Sequence, residues 1–415
     1  MSTKQSIRQR LYPTPAQASL MLEWCHQARF VYNVQVAEFR MRRELRASGG
    51  AWVAERAPQD KIKRLRARLP WLSAGPSIVH QSASRDFERA LSNYYAGRAE
   101  APTFHRKDSR AGGFVIRDVT LRRLNRRWAV ISVPKVGPVR FRVSRPWAEI
   151  SSASTARARL DNGQWHVSLT VPARGKIVAG TGMMVGIDRG VKNTIATSDG
   201  TLSRIPTLTV GQQHRWRRLE RTKSRTTKGS KRRVKVLDQL AALRRRQNDL
   251  ATNWIEQTTT HLARSYDLIV IEDLRLTDMM RRPAPISDPE DPNDFLPNGA
   301  AAKSGLNRVL HASRMGRLAT RLRDKTSAVL AVDPRNTSRR CPECGHTAAE
   351  NRESQAVFVC RSCGHRANAD LNAARNILER GMAIAGAAQE QEPADGGEWA
   401  AAPDSGASAS DRRAA

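Results

Sequence analysis

The sequence predicts a multidomain α/β protein, and three observations carry that expectation. Apolar residues recur at helical spacing between residues 15 and 95, and the period drops to two between 102 and 173. Beyond residue 183, two short apolar strands each end in an acid. With 415 residues and a hydrophobic fraction of 40%, the chain can bury more than one core without disulfide staples.

The first element is a strand, because "KQSIRQRLY" (4–12) alternates apolar and polar residues. Thr14 then supplies an N-cap and Pro15 a first-turn proline, so a helix begins there. Met21, Trp24, Cys25, Ala28, Val31 and Tyr32 share one face of it, which makes Cys25 a core residue. "KIKRLRARLPWL" is basic and partly helical, and a second long helix is expected from Ser77 to Tyr95 with Phe87, Leu91 and Tyr94 on one side. From Pro102 to Ala173, "FVIRDVTL", "WAVISVP", "PVRFRVS" and "QWHVSLTV" read as antiparallel strands of a small barrel or sheet, with turns at "VG" and "DNG". Cations alternate with aromatics there, either as ordinary amphipathic patterning or as a surface that follows a phosphate backbone; the charge of the whole chain favours the second.

That charge is large. Lys and Arg number 71 against 39 Asp and Glu, a formal +32 with a pI near 11.3. A field of this size attracts polyanions and releases their counterions, so nucleic acid is the expected partner. No run of eighteen apolar residues occurs and "MSTKQSIRQRLYPTP" has no apolar signal core, so neither a membrane span nor secretion is expected. A cytoplasmic protein keeps its thiols reduced, and paired cysteines then point to metal and away from disulfides.

"MMVGIDRGVKNTIATSDG" (183–200) reads as an apolar strand, an aspartate, a tight glycine turn and a second strand. Between Arg215 and Arg246 lie fourteen Lys or Arg and two acids, split by "KSRTTKGSK" into a helical hairpin. Leu219, Val236, Leu240 and Leu243 would bury one side, leaving Arg215, Arg217, Arg218, Arg232, Arg233, Arg244, Arg245 and Arg246 as candidate phosphate contacts. "YDLIVIEDL" (266–274) is a second buried strand, followed by a Pro/Asp-rich loop, a helix from about Ser304 to Lys325 and the strand "AVLAVDP". The tail beyond Gly381 is rich in Ala and Gly, with six acids and two bases, and is expected to be disordered.

Two sets of residues carry chemistry. Cys341, Cys344, Cys360 and Cys363 form C-x2-C-x15-C-x2-C, two knuckles able to place four thiolates around one tetrahedral zinc. Four thiolates leave no open position, so this zinc is structural. Asp188 ends one apolar strand, Glu272 ends another, and Asp370 opens the helix "ADLNAARNILER". Each alone could be a strand-end residue or a helix cap. Together they are hard oxygen ligands of the kind that hold two divalent ions for phosphodiester hydrolysis. Asp273 points the opposite way along its strand and is secondary.

"GIDRGVKNTIATSDG", "LIVIEDL", "SRRCPECG", "CRSCG" and "NADLNAARNI" stand in the order and approximate spacing of the TnpB family, and the sequence resembles that family over roughly residues 1–380. "LYPTPAQ…RFVYN", "PTFHRK" and "ISVPKVGPVRF" look like its recognition and wedge regions. The family comprises RNA-guided nucleases of insertion sequences, related to type V CRISPR effectors. The resemblance implies an RNase H-like RuvC nuclease with an inserted zinc ribbon, an N-terminal helical recognition region and a small antiparallel β-barrel, the wedge. It divides the chain into a first wedge strand (1–12), the recognition region (13–100), the wedge (101–180), the nuclease with its basic hairpin (181–337), the ribbon (338–366), the last nuclease helix (367–381) and a disordered acidic tail (382–415). Asp188, Glu272 and Asp370 match the three RuvC acids that bind catalytic Mg2+, and Zn2+ sits on the cysteines. Many relatives carry an aspartate where this chain has Asn368, a change expected to tune metal binding. The implied activity is cleavage of target DNA beside a short transposon-associated motif, directed by a guide RNA from the transposon end. The intact acids argue against the nuclease-inactive RNA-guided regulators of the same descent; a transposase that joins strands is the other alternative.

Overall fold

The computed structural model describes residues 4–50, 58–106, 112–161, 163–289, 291 and 294–390. The chain divides into two compact units, 1–175 with 207–250 and 176–206 with 251–415. The family resemblance places the whole basic hairpin with the nuclease; by compactness residues 207–250 group with the first unit. Among the described residues no helix is long and apolar enough to cross a membrane.

In the first unit, strand β1 (Lys4–Tyr12) leads into the 33-residue helix α1 (Pro15–Ala47). Thr14 caps this helix and Gln17 reaches back to the Thr14 backbone, closing a capping box on the expected residue. Met21, Trp24, Cys25, Ala28, Val31 and Tyr32 are all buried, and burial pushes the Cys25 thiol up to about 12, so it is a packing residue. Helices α2 (Pro58–Arg68), α3 (Pro70–Ser73) and α4 (Ser77–Tyr95) follow. The strands are β2 (Gly112–Arg117), β3 (Leu121–Arg123), β4 (Trp128–Val133) and β5 (Gly137–Arg142), then, after the short helix α5 (Trp147–Ser151), β6 (Thr155–Asp161) and β7 (Gln164–Pro172). Their order is β2-β6-β7-β1-β5-β4-β3, a seven-stranded antiparallel sheet in which β1 joins two halves: residues 4–10 pair with β7 and residues 11–12 with β5. The ladder is linear; among the described residues no pairing joins β2 to β3. Strand β6, "TARARLD", escapes the sequence pattern because its inward residues are mostly alanines, too small to mark an apolar alternation.

The second unit holds the sheet that positions the acids. Strands β8 (Met184–Asp188), β9 (Ile195–Thr197) and β10 (Leu202–Ser203) form an antiparallel meander. Next in the chain, and grouped with the first unit as far as residue 250, helices α6 (Val210–Arg225) and α7 (Lys231–Ser265) make the hairpin, in which Leu219, Val236, Leu240 and Leu243 form a small core with the preceding Leu208. Strand β11 (Leu268–Glu272) then adds to β8 in parallel. After helix α8 (Leu276–Met279) and the two-residue strands β12 (Ile286–Ser287) and β13 (Phe295–Leu296), the expected single helix is two, α9 (Ala300–Ser313) and α10 (Met315–Lys325), broken where Arg314 adopts a left-handed conformation at φ 57°. Strand β14 (Val329–Val332) completes the order β10-β9-β8-β11-β14, with β8, β11 and β14 parallel and the two central strands, β8 and β11, buried as a run.

A ribbon with strands β15 (Val357–Val359) and β16 (Arg366–Asn368) precedes helix α11 (Ala369–Glu390). This helix passes the expected end at 381, because "MAIAGAAQE" is rich in good helix formers. The remainder of the expected tail, 391–415, lies outside the described residues. Helix α11 lies flat on the sheet: a Cβ on Gly186 of β8 would meet the Ala374 carbonyl oxygen at 2.2 Å, and one on Gly381 would meet Val270 of β11 at 2.3 Å.

Candidate active site and metal centre

Strands β8 and β11 pair in register with Ile187 beside Ile271, so the next residues, Asp188 and Glu272, stand together at the C-terminal ends of these two parallel strands. Helix α11 packs against both strands and carries Asp370 in its first turn. The fold therefore brings together acids 84 and 98 positions apart in sequence. Burial pushes the Asp188 carboxyl up to about 7, and the charges of Glu272 and Asp370 push the same way against Arg352 and Arg189. Burial likewise raises Glu272, against a hydrogen bond from Thr337 and the charge of Arg189. Ionised carboxylates confined this way are uncomfortable without a cation, so the donor set fits a divalent metal.

Glu272 and Asp370 each have a partner that sets their direction. Thr337 Oγ1 donates to Glu272 Oε1 at 2.6 Å. Asn193 Nδ2 donates to Asp370 Oδ2 at 2.9 Å, and Arg352 stands 3.6 Å from Asp370 Oδ1. The buried Arg189 donates to the Glu272 carbonyl oxygen and, at 3.4 Å, to that of Met315. Asn368, the departure from the usual aspartate, accepts from the backbone N–H groups of Asp370 at 3.0 Å and Leu371 at 3.3 Å. It is the side-chain cap of α11 and aims the turn that bears Asp370. A cavity of about 200 Å3 beside Asp188 and Asp370 is also lined by Lys192, Arg352 and Gln355.

The four cysteines converge more tightly. Cys341 and Cys363 sulfurs are 3.7 Å apart, Cys344 and Cys360 sulfurs 3.6 Å, and all four lie within 4.8 Å of one another. Sulfurs bound tetrahedrally to zinc at about 2.3 Å would stand about 3.8 Å apart, so the set fits that ion. The two knuckles are alike: Cys341 N–H donates to the His346 carbonyl and Cys360 N–H to that of His365, each at 2.9 Å. Gly345 and Gly364 make the returns at φ 74° and 76°, where other residues are strained. Buried Asn351 ties the knuckles, donating to the Arg339 and His346 carbonyls and accepting from Arg361 N–H. Among the described residues these cysteines are the only set of three or more metal-ligating side chains gathered so closely.

Of the eight hairpin arginines, Arg215, Arg217, Arg218, Arg232, Arg244 and Arg246 are exposed. Arg233 is half-buried and donates to the carbonyls of Lys223 and Thr226, closing the end of α6, so its first duty is structural. Arg245 is half-buried too, and Arg244 pairs with Glu220 at 3.5 Å and lies over the Trp216 ring. Near the ribbon, Arg340 pairs with Glu379 and Arg361 with Glu353. Asn193, Thr337 and Arg352 escape sequence reasoning because only the fold brings them to Asp370 and Glu272; Arg189 follows Asp188 in the chain, but only the fold turns it to the Glu272 carbonyl. One signal was present: Asn368, Asn372 and Asn376 recur every fourth residue along the start of α11.

The fold thus combines a mixed sheet flanked by helices, acids at the ends of its central parallel strands and a four-cysteine ribbon. It is similar to that of Cas12f1 in the cryo-EM structure of the Cas12f1–sgRNA–target DNA complex, with a TM-score of 0.51 at 16% identity over 88% of this chain and 83% of that one. Family models match at residues 166–282 (OrfB_IS605, "Probable transposase"), 315–377 ("Cas12f1-like, TNB domain") and 1–46 ("Helix-turn-helix domain"). Over the described part of that last stretch this chain has one strand and one unbroken helix. InsQ of Escherichia coli (strain K12), named as a putative RNA-guided DNA endonuclease, is 30% identical over 92% of this chain and 94% of its own length. Cas12f1 of Sulfoacidibacillus thermotolerans, a CRISPR-associated endodeoxyribonuclease, is 59% identical over 49 residues, 12% of each chain. The chain belongs to the TnpB family, the OrfB-type proteins of insertion sequences.

Proposed function

We infer that this protein is an RNA-guided DNA endonuclease, acting in the cytoplasm on DNA of the nucleoid, with a guide RNA from its transposon end. Membership of the family supports the guide and the target; the meeting of Asp188, Glu272 and Asp370 at the ends of two paired central strands and the start of α11 carries the chemistry. Base pairing reads the target, while the protein reads a short motif in the neighbouring duplex and the shape of the heteroduplex.

Asp188, Glu272 and Asp370 hold Mg2+, two ions in this reading, which when bound supply a Lewis acid for activating water and stabilising the leaving oxygen. Around them Thr337, Asn193 and the Asn368 cap keep the carboxylates in fixed directions. Lys192 and Arg352 offer cations to phosphate in the adjoining cavity. The cysteines hold one structural Zn2+, which folds the ribbon that carries Arg352. The exposed hairpin arginines contact nucleic-acid phosphates, and the seven-stranded antiparallel sheet, which stands for the expected barrel without a pairing of its end strands among the described residues, serves as the wedge. The domain limits from the family resemblance, apart from the longer α11 and the grouping of residues 207–250 with the first unit, complete this reading.

The test is to purify the protein with its RNA, sequence that RNA, and supply a matching duplex with Mg2+. Cleavage by the wild type and none by Asp188→Ala supports the reading. Binding without cleavage would indicate a regulator, and joined transposon ends would indicate a transposase.

A further inference from the structure

We propose that the root of the ribbon is a positioning device for Glu272, with Thr337 as its contact and the asparagines of α11 as its anchor. The inference rests on the nuclease reading above and adds to it a residue that acts through a metal ligand. Residues 333–340 connect β14 to the first knuckle. At their centre Thr337 is 2% exposed and donates through Oγ1 to Glu272 Oε1 at 2.6 Å. A buried carboxylate with one oxygen so bound keeps the other directed toward the site, and its rotation would break a hydrogen bond shielded from water.

The backbone that bears the hydroxyl is itself held, and the hydroxyl's other acceptor in reach, the Pro334 carbonyl, is the more distant at 3.0 Å. Asn376 Nδ2 donates to the Thr337 carbonyl and to the Arg340 carbonyl, both at 2.7 Å, and Asn372 Nδ2 donates to the Arg340 carbonyl at 3.0 Å. Both asparagines are essentially buried, Asn376 at 2% and Asn372 at 0% exposure. They lie within about two turns of Asp370 on the same helix. One helix therefore presents one acid directly and fixes a second through the ribbon root. Cys341 follows Arg340 immediately, so the same clasp sets where the first knuckle begins. This gives the repeat of Asn368, Asn372 and Asn376 a physical meaning: the first caps the helix, and the other two clamp the strap that carries Thr337.

The experiment uses the full chain with its guide RNA and compares Thr337→Val, which keeps the shape, with Thr337→Ser, which keeps the hydroxyl. Three quantities are read: zinc content, the Mg2+ concentration giving half-maximal cleavage, and direct binding of Mn2+ followed by its electron paramagnetic resonance signal. Thr337→Val should keep its zinc and its RNA affinity while Mn2+ binding weakens and the Mg2+ requirement rises, each by about tenfold or more. Thr337→Ser should restore both toward wild type. Unchanged metal binding in Thr337→Val, beside a wild type that binds Mn2+, would overturn this inference alone. Loss of zinc in Thr337→Val would overturn it too, because the hydroxyl would then serve ribbon folding. A wild type that binds no Mn2+ and cuts no DNA would overturn the nuclease reading, and this inference with it.

Discussion

The ribbon and the carboxylate site, the two metal sites of the proposed function, are assembled in opposite ways. Four thiolates lie within 23 consecutive residues, on two alike turns whose backbone hydrogen bonds are local. Three carboxylates span 183 residues and meet only because two parallel strands end together under the start of a distant helix. In that reading a metal can fold the first, whereas the fold must precede metal in the second. The contrast extends to energy. The ribbon's sulfurs already stand at the separation a zinc ion requires, whereas Asp188 is pushed up to about 7 by burial and by its acidic neighbours.

The largest effect expected is on the carboxylates. Asp188→Ala should reduce cleavage below detection while guide-RNA binding stays near wild type, since basic surfaces elsewhere carry that affinity. Near-normal cutting would break the comparison by removing the second metal site altogether. Next comes the ribbon: Cys341→Ser or Cys360→Ser should lower zinc from about one per chain and destabilise the ribbon, because structural zinc binding is coupled to local folding. Metal analysis of the purified protein checks it, and a wild type without zinc would contradict it directly.

A third test sharpens the energetic difference. The folded protein holds a proton on Asp188 that the unfolded chain releases at the ordinary aspartate value near 3.8, so this group favours folding least once pH exceeds about 7. Its contribution is fully present below the unfolded value and is lost as pH rises through about 7. In metal-free protein at pH 8, Asp188→Asn should therefore raise the melting midpoint by several degrees, and Mg2+ should narrow that gap by stabilising the wild type alone. Thermal melts with chelator and with Mg2+ check both parts. A lower midpoint in the variant would show that the acids are not in electrostatic conflict.

How much could be read from sequence follows the same division. Local features were legible: the Thr14 cap, the helix from Ser77 to Tyr95, the strands ending in Asp188 and Glu272, and the cysteine spacing, all of which depend on neighbours within a few residues. What escaped depends on tertiary approach. Thr337 and Asn193 carry no local mark of their partners, and β6 hides because small alanines face its core. The break at Arg314 is likewise invisible in a pattern that remains helical on both sides. Asn368 was legible only as a departure from the family; its side-chain oxygen capping the helix gives it a positional role in place of a charge.

The smallest effect concerns the hairpin, where sequence phase and structure combine to separate two kinds of arginine. Leu240 and Leu243 are buried as the helical period requires, and Arg217, Arg218 and Arg246 face solvent. Arg233, from the same basic run, instead satisfies two carbonyls at the end of α6. Replacing Arg217, Arg218 and Arg246 together with Gln should weaken nucleic-acid binding across sequences and flatten the log affinity against log salt plot, by roughly 0.7 to 0.9 for each phosphate that is no longer neutralised. Arg233→Gln should leave that slope unchanged and lower the melting temperature, because it removes hydrogen bonds from the hairpin turn. Binding measured from low to moderate salt distinguishes them. Equal slopes in all three proteins would return the exposed arginines to the role of a solvated surface, and a changed sequence preference at constant slope would mean that they touch bases.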